Sequence, residues 1–196
     1  MKEFYLLLDA ARCSMPAIEK ANDICKGEHS SLYVQEEGMA YLRDVAPYMY
    51  TTDSLLLQWM FTNGWENSWG VLVLAKANFA ACLTHFCKFL MVKTEAGEEF
   101  YFRFYDPRVL KIFLPTCDKD QIIDFFGPVE KFILEGDTKE TAIEFSHENG
   151  KLKQLTIDAE KLFGEQLNTA ITAQQALHSK KKRNAIIDDD LLDRST

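Results

Sequence analysis

The chain has 196 residues, of which 47% are hydrophobic and 12% aromatic, and its formal net charge is −8. This composition is typical of a globular protein with a largely aromatic core, long enough for one domain and an accessory segment. The acidic balance argues against nucleic acid or an anionic membrane as a partner. We find no targeting segment and no run of about 20 apolar residues that could span a membrane, so we expect a soluble, cytoplasmic protein.

Motifs that would indicate an enzyme are missing from the sequence. The five cysteines form no CxxC pair, which favours buried, reduced thiols, and there is no HExxH, phosphate-binding glycine loop or GxSxG motif. Cys82 and His85 lie one helical turn apart, and we weigh catalysis or metal binding there against a core thiol and histidine. We therefore predict that the protein is not an enzyme and has no catalytic, metal-binding or cofactor-binding residues.

The first half of the chain alternates between apolar runs typical of strands and periodic segments typical of helices. Asp53 and Asn78 are good N-caps for two of the helices. The predicted elements are, in chain order, a buried strand at 4–8, a helix at 16–25, a strand at 31–35, a helix at 36–45, an extended segment at 48–51, a helix at 54–61, a central strand at 68–74 and a largely buried helix at 79–90.

A β-hairpin is predicted at residues 90–105, with a turn at 95–98 that contains a glycine. Its second strand, residues 99–105, alternates between two kinds of side chain. We expect Phe100, Phe102 and Phe104 to face the core, and Tyr101, Arg103 and Tyr105 to form a polar-aromatic surface.

The second half of the chain contains two capped helices and three short strands. Asp106 and Pro107 fit a helix start, and Asp118 caps a helix that reaches Phe126. Strands are predicted at 131–134, 141–145 and 151–157. The fold class is thus α/β: a mixed β-sheet with flanking helices, plus a C-terminal β-meander and a short helical tail. We assign residues 1–157 to one domain and residues 158–196 to a weakly helical, charged C-terminal tail.

Several short stretches, taken in order, resemble one protein family. The resemblance covers roughly residues 4–135, and the stretch at 102–110 carries it most strongly. The matching stretches are LLLDAAR at 6–12, VAPY at 45–48, GW at 64–65, SWG at 68–70, FRFYDPRVL at 102–110 and FFGP at 125–128. The chain resembles the type VI secretion effector adaptors, also called effector chaperones (the Tap or TEC class, long catalogued as a domain of unknown function).

The resemblance implies a non-catalytic protein that holds a toxic effector and helps load it onto the VgrG spike. Its implied partners are the effector and the spike protein, with a monomer bound 1:1 to its effector as the default. Many members continue into a larger helical lobe, whereas only about 40 residues follow Ile157 here. We therefore expect residues 166–177 to fold on a partner, if they contribute to effector binding.

The residues of these stretches also allow structural interpretations. Arg103 can form a two-pronged contact with a carboxylate, either internally with Asp9 or Asp106 or on a partner protein. An internal salt bridge is the expected role of Arg12. The protein-binding candidates are Arg103, Tyr105, Arg108, Tyr101, Trp65 and Trp69, with core packing as the alternative for both tryptophans. The residues expected to build the structural motif are Asp9, Arg12, Pro47, Tyr48, Asp106 and Pro107.

Two further function classes stay open at this point. One is a small α/β cysteine-dependent hydrolase, in which Cys13 or Cys82 would be essential. The other is an immunity protein, which also binds a toxin and is also small and acidic. An α/β scaffold hosts many functions, so the fold alone does not decide among them.

Overall fold

The computed structural model describes residues 2–35, 39–93 and 97–164, and it is α/β with helices flanking a sheet. Nine strands are present in these ranges. They are β1 (Glu3–Asp9), β2 (His29–Ser31), β3 (Pro47–Thr51), β4 (Gly70–Ala75), β5 (Met91–Lys93), β6 (Glu99–Tyr101), β7 (Val129–Glu135), β8 (Thr141–Glu148) and β9 (Lys151–Asp158). Residues 36–38, 94–96 and 165–196 lie outside the described residues, and so do part of the predicted helix at 36–45, part of the predicted turn at 95–98 and most of the predicted tail.

Seven of the strands form one sheet in the order β2-β3-β1-β4-β7-β8-β9, and every pairing in it is antiparallel. β4 lies in the middle and is buried along its whole length, as its Val- and Leu-rich sequence predicts. The predicted C-terminal meander is confirmed as β7, β8 and β9. β5 and β6 form a separate two-stranded ribbon.

Seven α-helices accompany the sheet in the described residues. They are α1 (Ala10–Cys13), α2 (Met15–Ile24), α3 (Ser54–Asn63), α4 (Phe79–Cys87), α5 (Pro107–Phe113), α6 (Lys119–Phe126) and α7 (159–164). The predicted caps are confirmed: the side chains of Asp53, Asn78, Asp106 and Asp118 each accept a backbone N–H of the first helical turn.

Each face of the sheet carries a hydrophobic core because successive strand residues point to opposite sides. On one face, Leu7, Val73 and Phe132 pack with α4, α5 and α6. On the other face, Leu6 and Leu72 pack with α1, α2, α3 and α7. The arrangement is three layers, helices–sheet–helices, and the aromatic core expected from the composition lies mainly on the α4–α6 side.

Of the two elements predicted between residues 31 and 45, the strand is wrong and the helix is confirmed in its described part. The strand predicted at 31–35 ends at Ser31, and Leu32–Gln35 is a 3₁₀ helix. The Ser31 hydroxyl accepts the N–H of Tyr33 at 3.2 Å, and such a local side-chain bond competes with strand pairing. The described part of the helix predicted at 36–45, Met39–Val45, is helical as predicted, and it is a 3₁₀ helix.

The long second strand of the predicted hairpin is also wrong. β6 ends at Tyr101, where a bond from the Phe102 N–H to the Leu90 carbonyl closes the ribbon. Beyond it the chain turns into the core. The predicted alternation fails at Phe100 and Tyr105, whereas Phe102 and Phe104 pack in the core and Tyr101 is exposed, as predicted. Phe100 is 52% exposed, whereas Tyr105, expected at the surface, is 1% exposed.

The helix predicted at 79–90 is shorter and less buried than expected. It ends at Cys87, and it buries one face through Phe79, Cys82, His85 and Phe86 while Thr84 stays exposed. The helix is therefore amphipathic, as a helix that covers one side of a sheet should be.

Candidate functional site

The charged residues of the resembling stretches meet at one end of the sheet. β1 and β7 both run antiparallel to β4, so the C-terminal ends of β1 and β7 lie beside the start of β4. Asp9 ends β1, and Glu135 ends β7. Glu135 accepts both the N–H (3.0 Å) and the hydroxyl (2.7 Å) of Ser68, just before β4. Sequence reasoning missed this pair, because no local pattern relates positions 68 and 135.

Asp9 is the buried centre of this region. It is 0% exposed, and its N–H donates to the Trp69 carbonyl at 2.8 Å. One carboxylate oxygen caps α1 by accepting the Ala11 N–H at 3.0 Å, and the other accepts Nη2 of Arg103. The internal partner that the sequence left open for Arg103 is therefore Asp9. The Arg103 side chain remains 38% exposed, so the ion pair lies at the boundary between core and solvent.

Asp106 is the second buried carboxylate, 1% exposed, and it binds a second arginine. Arg108 donates to it twice, from Nε at 3.0 Å and from Nη2 at 2.6 Å, while the Arg108 backbone N–H donates to Oδ1 at 3.0 Å. Nη2 of Arg103 lies 4.0 Å from the same carboxylate. We call Asp9, Arg103, Asp106 and Arg108 the arginine–aspartate cluster. The cap role predicted for Asp106 is confirmed, with Pro107 as the first residue of α5.

The two carboxylates of the cluster titrate differently. Burial raises the pKa of Asp9, and the contacts with Arg103 offset this only in part. Burial also acts to raise the pKa of Asp106, but the hydrogen bonds from Arg108 outweigh it and leave that pKa below its ordinary value. Asp106 receives two guanidinium bonds and Asp9 receives one, so the arginine contacts favour the charged form of Asp106 more strongly.

The tyrosines near the cluster separate into buried and exposed residues. The hydroxyl of Tyr105 lies 3.4 Å from that of Tyr33, and the Tyr33 ring lies 6.0 Å from that of Tyr101. Tyr105 is buried, so it is not part of an exposed surface. Tyr101 is 47% exposed, as expected for a contact residue. Tyr33 was not among the predicted site residues.

The two candidate tryptophans occupy different environments. Trp65 is 3% exposed and packs edge-on against Phe163 of α7 at 5.0 Å, which matches the core alternative for this residue. Trp69 is partly exposed, and its ring lies 5.7 Å from that of Trp59. Only Trp69 of the pair therefore reaches solvent.

The remaining residues of the motif are structural. Pro47 opens β3 opposite Asp9, and the Tyr48 hydroxyl donates to the Arg43 carbonyl at 3.3 Å. Arg12 donates from Nη2 to the Asn67 carbonyl at 3.1 Å, so its partner is a backbone oxygen rather than the expected carboxylate.

Cys82 and His85 do not contact each other as a nucleophile and base would. The Cys82 thiol points to the Ala77 carbonyl at 3.6 Å, while Nε2 of His85 lies 2.9 Å from the Phe125 carbonyl. Burial raises the pKa of Cys82 to about 11 and lowers the pKa of His85. Burial likewise raises the pKa of Cys13, to about 12. These thiols are protonated near neutral pH, whereas a nucleophilic cysteine needs a lowered pKa.

Metal-binding clusters and membrane-spanning helices are both absent from the described residues. Within 2–35, 39–93 and 97–164, no three His, Cys, Asp or Glu side chains come together in an arrangement that could hold a metal ion. Across the same ranges, no helix has the length and apolar character needed to cross a membrane.

The fold and the site together define a three-layer α/β/α protein with an antiparallel sheet and an arginine–aspartate cluster at one end of it. Residues 4–123 match the family model described as a domain of unknown function (DUF4123), and the chain belongs to this family. The match includes all of β1 except its first residue, all of β4 and all four residues of the cluster. No curated protein and no solved structure matches the chain.

Proposed function

We propose that this protein is a non-catalytic, cytoplasmic adaptor that binds a type VI secretion effector and helps load it onto the VgrG spike. The observation that carries the proposal is the role of the FRFYDPR stretch at 102–108. These residues are the strongest element of the resemblance to the effector adaptors, and three of them belong to the arginine–aspartate cluster. Membership of the DUF4123 family supports the proposal without specifying a partner.

The cluster has the properties of a binding surface for acidic or carbonyl groups. The carboxylates are buried and hold two guanidinium groups that stay 38% and 55% exposed, on Arg103 and Arg108. Arginine groups fixed in this way lose little side-chain entropy when they bind a further carboxylate or carbonyl. Tyr101 adds exposed aromatic surface of the kind enriched in protein interfaces.

The cysteine-hydrolase alternative has less support. Cys13 and Cys82 are buried with raised pKa values, and each thiol donates weakly to a backbone carbonyl instead of to a base. The immunity-protein alternative predicts the same kind of surface as an adaptor, so it is separated from the proposal by experiment.

A delivery assay tests the proposal. Deleting the gene from the attacking strain should abolish delivery of one effector into competitor cells while VgrG is still secreted. Producing the protein in a recipient that lacks protection should leave the recipient sensitive to the toxin. Unchanged delivery by the deletion strain contradicts the proposal, and protection of the recipient favours the immunity protein.

A further inference from the structure

The outer edge of β9 presents backbone hydrogen-bonding groups that the described residues do not use. β9 pairs with β8 along all eight of its residues, without a bulge, and it is the last strand of the sheet. In a strand with one neighbour, alternate residues direct N–H and C=O groups away from that neighbour. Across residues 2–35, 39–93 and 97–164, no backbone hydrogen bond to 151–158 is found apart from those of the β8–β9 pairing.

Within the part of the chain that the structure describes, this edge lacks most of the features by which proteins protect sheet edges. Protected edges are short, bulged, covered, interrupted by proline or lined with charged side chains, especially lysine. Of these features β9 has lysines, Lys151 and Lys153, in its N-terminal half. The opposite edge of the same sheet follows this rule, because β2 has only three residues. β9 has eight residues and no proline, and its central residue Leu155 is 56% exposed. Leu152 and Ile157 pack against opposite cores and so hold the strand in a fixed register.

The charges around the edge indicate what kind of strand fits. Lys151 and Lys153 are exposed on β9, and Lys119 packs against Gly150 in the turn before it. Glu148 offsets part of this charge by pairing with Lys153 at 2.6 Å, a pair whose side chains are both more than half exposed. Exposed pairs of this kind are weak and exchange partners readily. The N-terminal half of β9 is therefore a basic region on an otherwise acidic protein.

We propose that β9 is a docking edge that receives an extended, acidic segment of the effector as an eighth strand of the sheet. Only an extended backbone places N–H and C=O groups at the spacing of the free edge, and main-chain bonds of this type supply affinity in other strand-addition complexes. Acidic side chains of the added strand lie beside Lys151 and Lys153, and an apolar one packs on Leu155. This inference rests on the proposed function, since it names the part of the effector that the adaptor binds.

A proline scan tests the docking edge directly. Single substitutions Gln154→Pro, Leu155→Pro and Thr156→Pro are made in the full chain, and thermal stability and affinity for the purified effector are measured for each. Consecutive N–H groups alternate between β8 and the outer edge, so the effects should alternate. Proline at a position whose N–H faces β8 should lower the melting temperature. Proline at a position whose N–H faces outwards should leave the melting temperature unchanged and weaken effector binding about tenfold or more.

Charge reversal provides the second arm. The double variant Lys151→Glu and Lys153→Glu should weaken effector binding and make the remaining affinity less dependent on salt. The matched control, Lys20→Glu and Lys26→Glu, makes the same change in net charge at exposed sites on α2 and just after it. The control should bind as the unmodified chain does.

The outcomes separate this inference from the proposed function. An effector that binds every fold-retaining β9 variant with unchanged affinity overturns the docking edge and leaves the adaptor proposal standing. If the unmodified chain binds neither the effector nor VgrG, the adaptor proposal fails and the docking edge fails with it.

Discussion

Replacing Arg103 with alanine removes the counter-ion of a carboxylate that has no access to solvent. Asp9 is 0% exposed, and the Ala11 N–H remains its other donor. Breaking a buried ion pair costs about 3–5 kcal/mol. Two features reduce this value, because the Arg103 side chain is already 38% exposed and because burial already raises the pKa of Asp9, so that the carboxylate can take up a proton. We expect Arg103→Ala to lower the free energy of unfolding by about 2–3 kcal/mol at pH 7.

The pH dependence of this loss identifies its cause. Without Arg103 the pKa of Asp9 rises further, so the folded variant binds a proton that the unfolded chain, with an ordinary value of 3.8, releases. Acidification therefore relieves the penalty, and the difference between the variant and the unmodified chain should be smaller at pH 5 than at pH 7. Urea unfolding at both values measures it. Arg12→Ala is the control, because Arg12 binds only a backbone carbonyl in the described structure.

A loss no larger than that of Arg12→Ala would contradict this prediction, since the Arg103–Asp9 pair would then contribute nothing to stability. A large loss that is the same at both pH values would show that Asp9 does not titrate as argued.

Three further predictions concern the packing around the sheet. In the unmodified protein the lowered pKa of His85 means that, below the ordinary value of 6.5, the unfolded chain takes up a proton that the folded chain does not, so the free energy of unfolding falls by up to about 1.4 kcal/mol per pH unit. His85→Gln removes this contribution, so the free energy of unfolding should fall less between pH 7 and pH 5. Gly127→Ala should destabilise clearly in chemical denaturation, because φ is +48° and a Cβ would lie 2.3 Å from the His85 ring. Phe163→Ala should cost about 3–5 kcal/mol and change the fluorescence of Trp65, whose ring it contacts.

Local patterns in the sequence predict much of this fold. Asp53, Asn78 and Asp118 cap helices because capping depends on residues three positions away, which the sequence shows directly. β4 is identifiable as a central strand because it is apolar on both faces. The turn before β9 is likewise local, with both Asn149 and Gly150 at positive φ.

The cluster depends on contacts that no local pattern shows. Arg103 and Asp9 are 94 residues apart, and their pairing draws the chain out of the ribbon two residues after β6 ends. A strict alternation rule extends the strand to residue 105 and therefore places Tyr105 at the surface, whereas the structure buries it. The choice between core and surface for Trp65 also depends on a distant partner, Phe163, which follows the last strand.

Co-purification with the products of the neighbouring genes, followed by mass determination of the complex, tests the adaptor proposal most directly. We predict a stable 1:1 complex with a toxin-like neighbour, and a larger assembly when VgrG is added. A chain that elutes alone in the presence of an intact effector and an intact spike would contradict it.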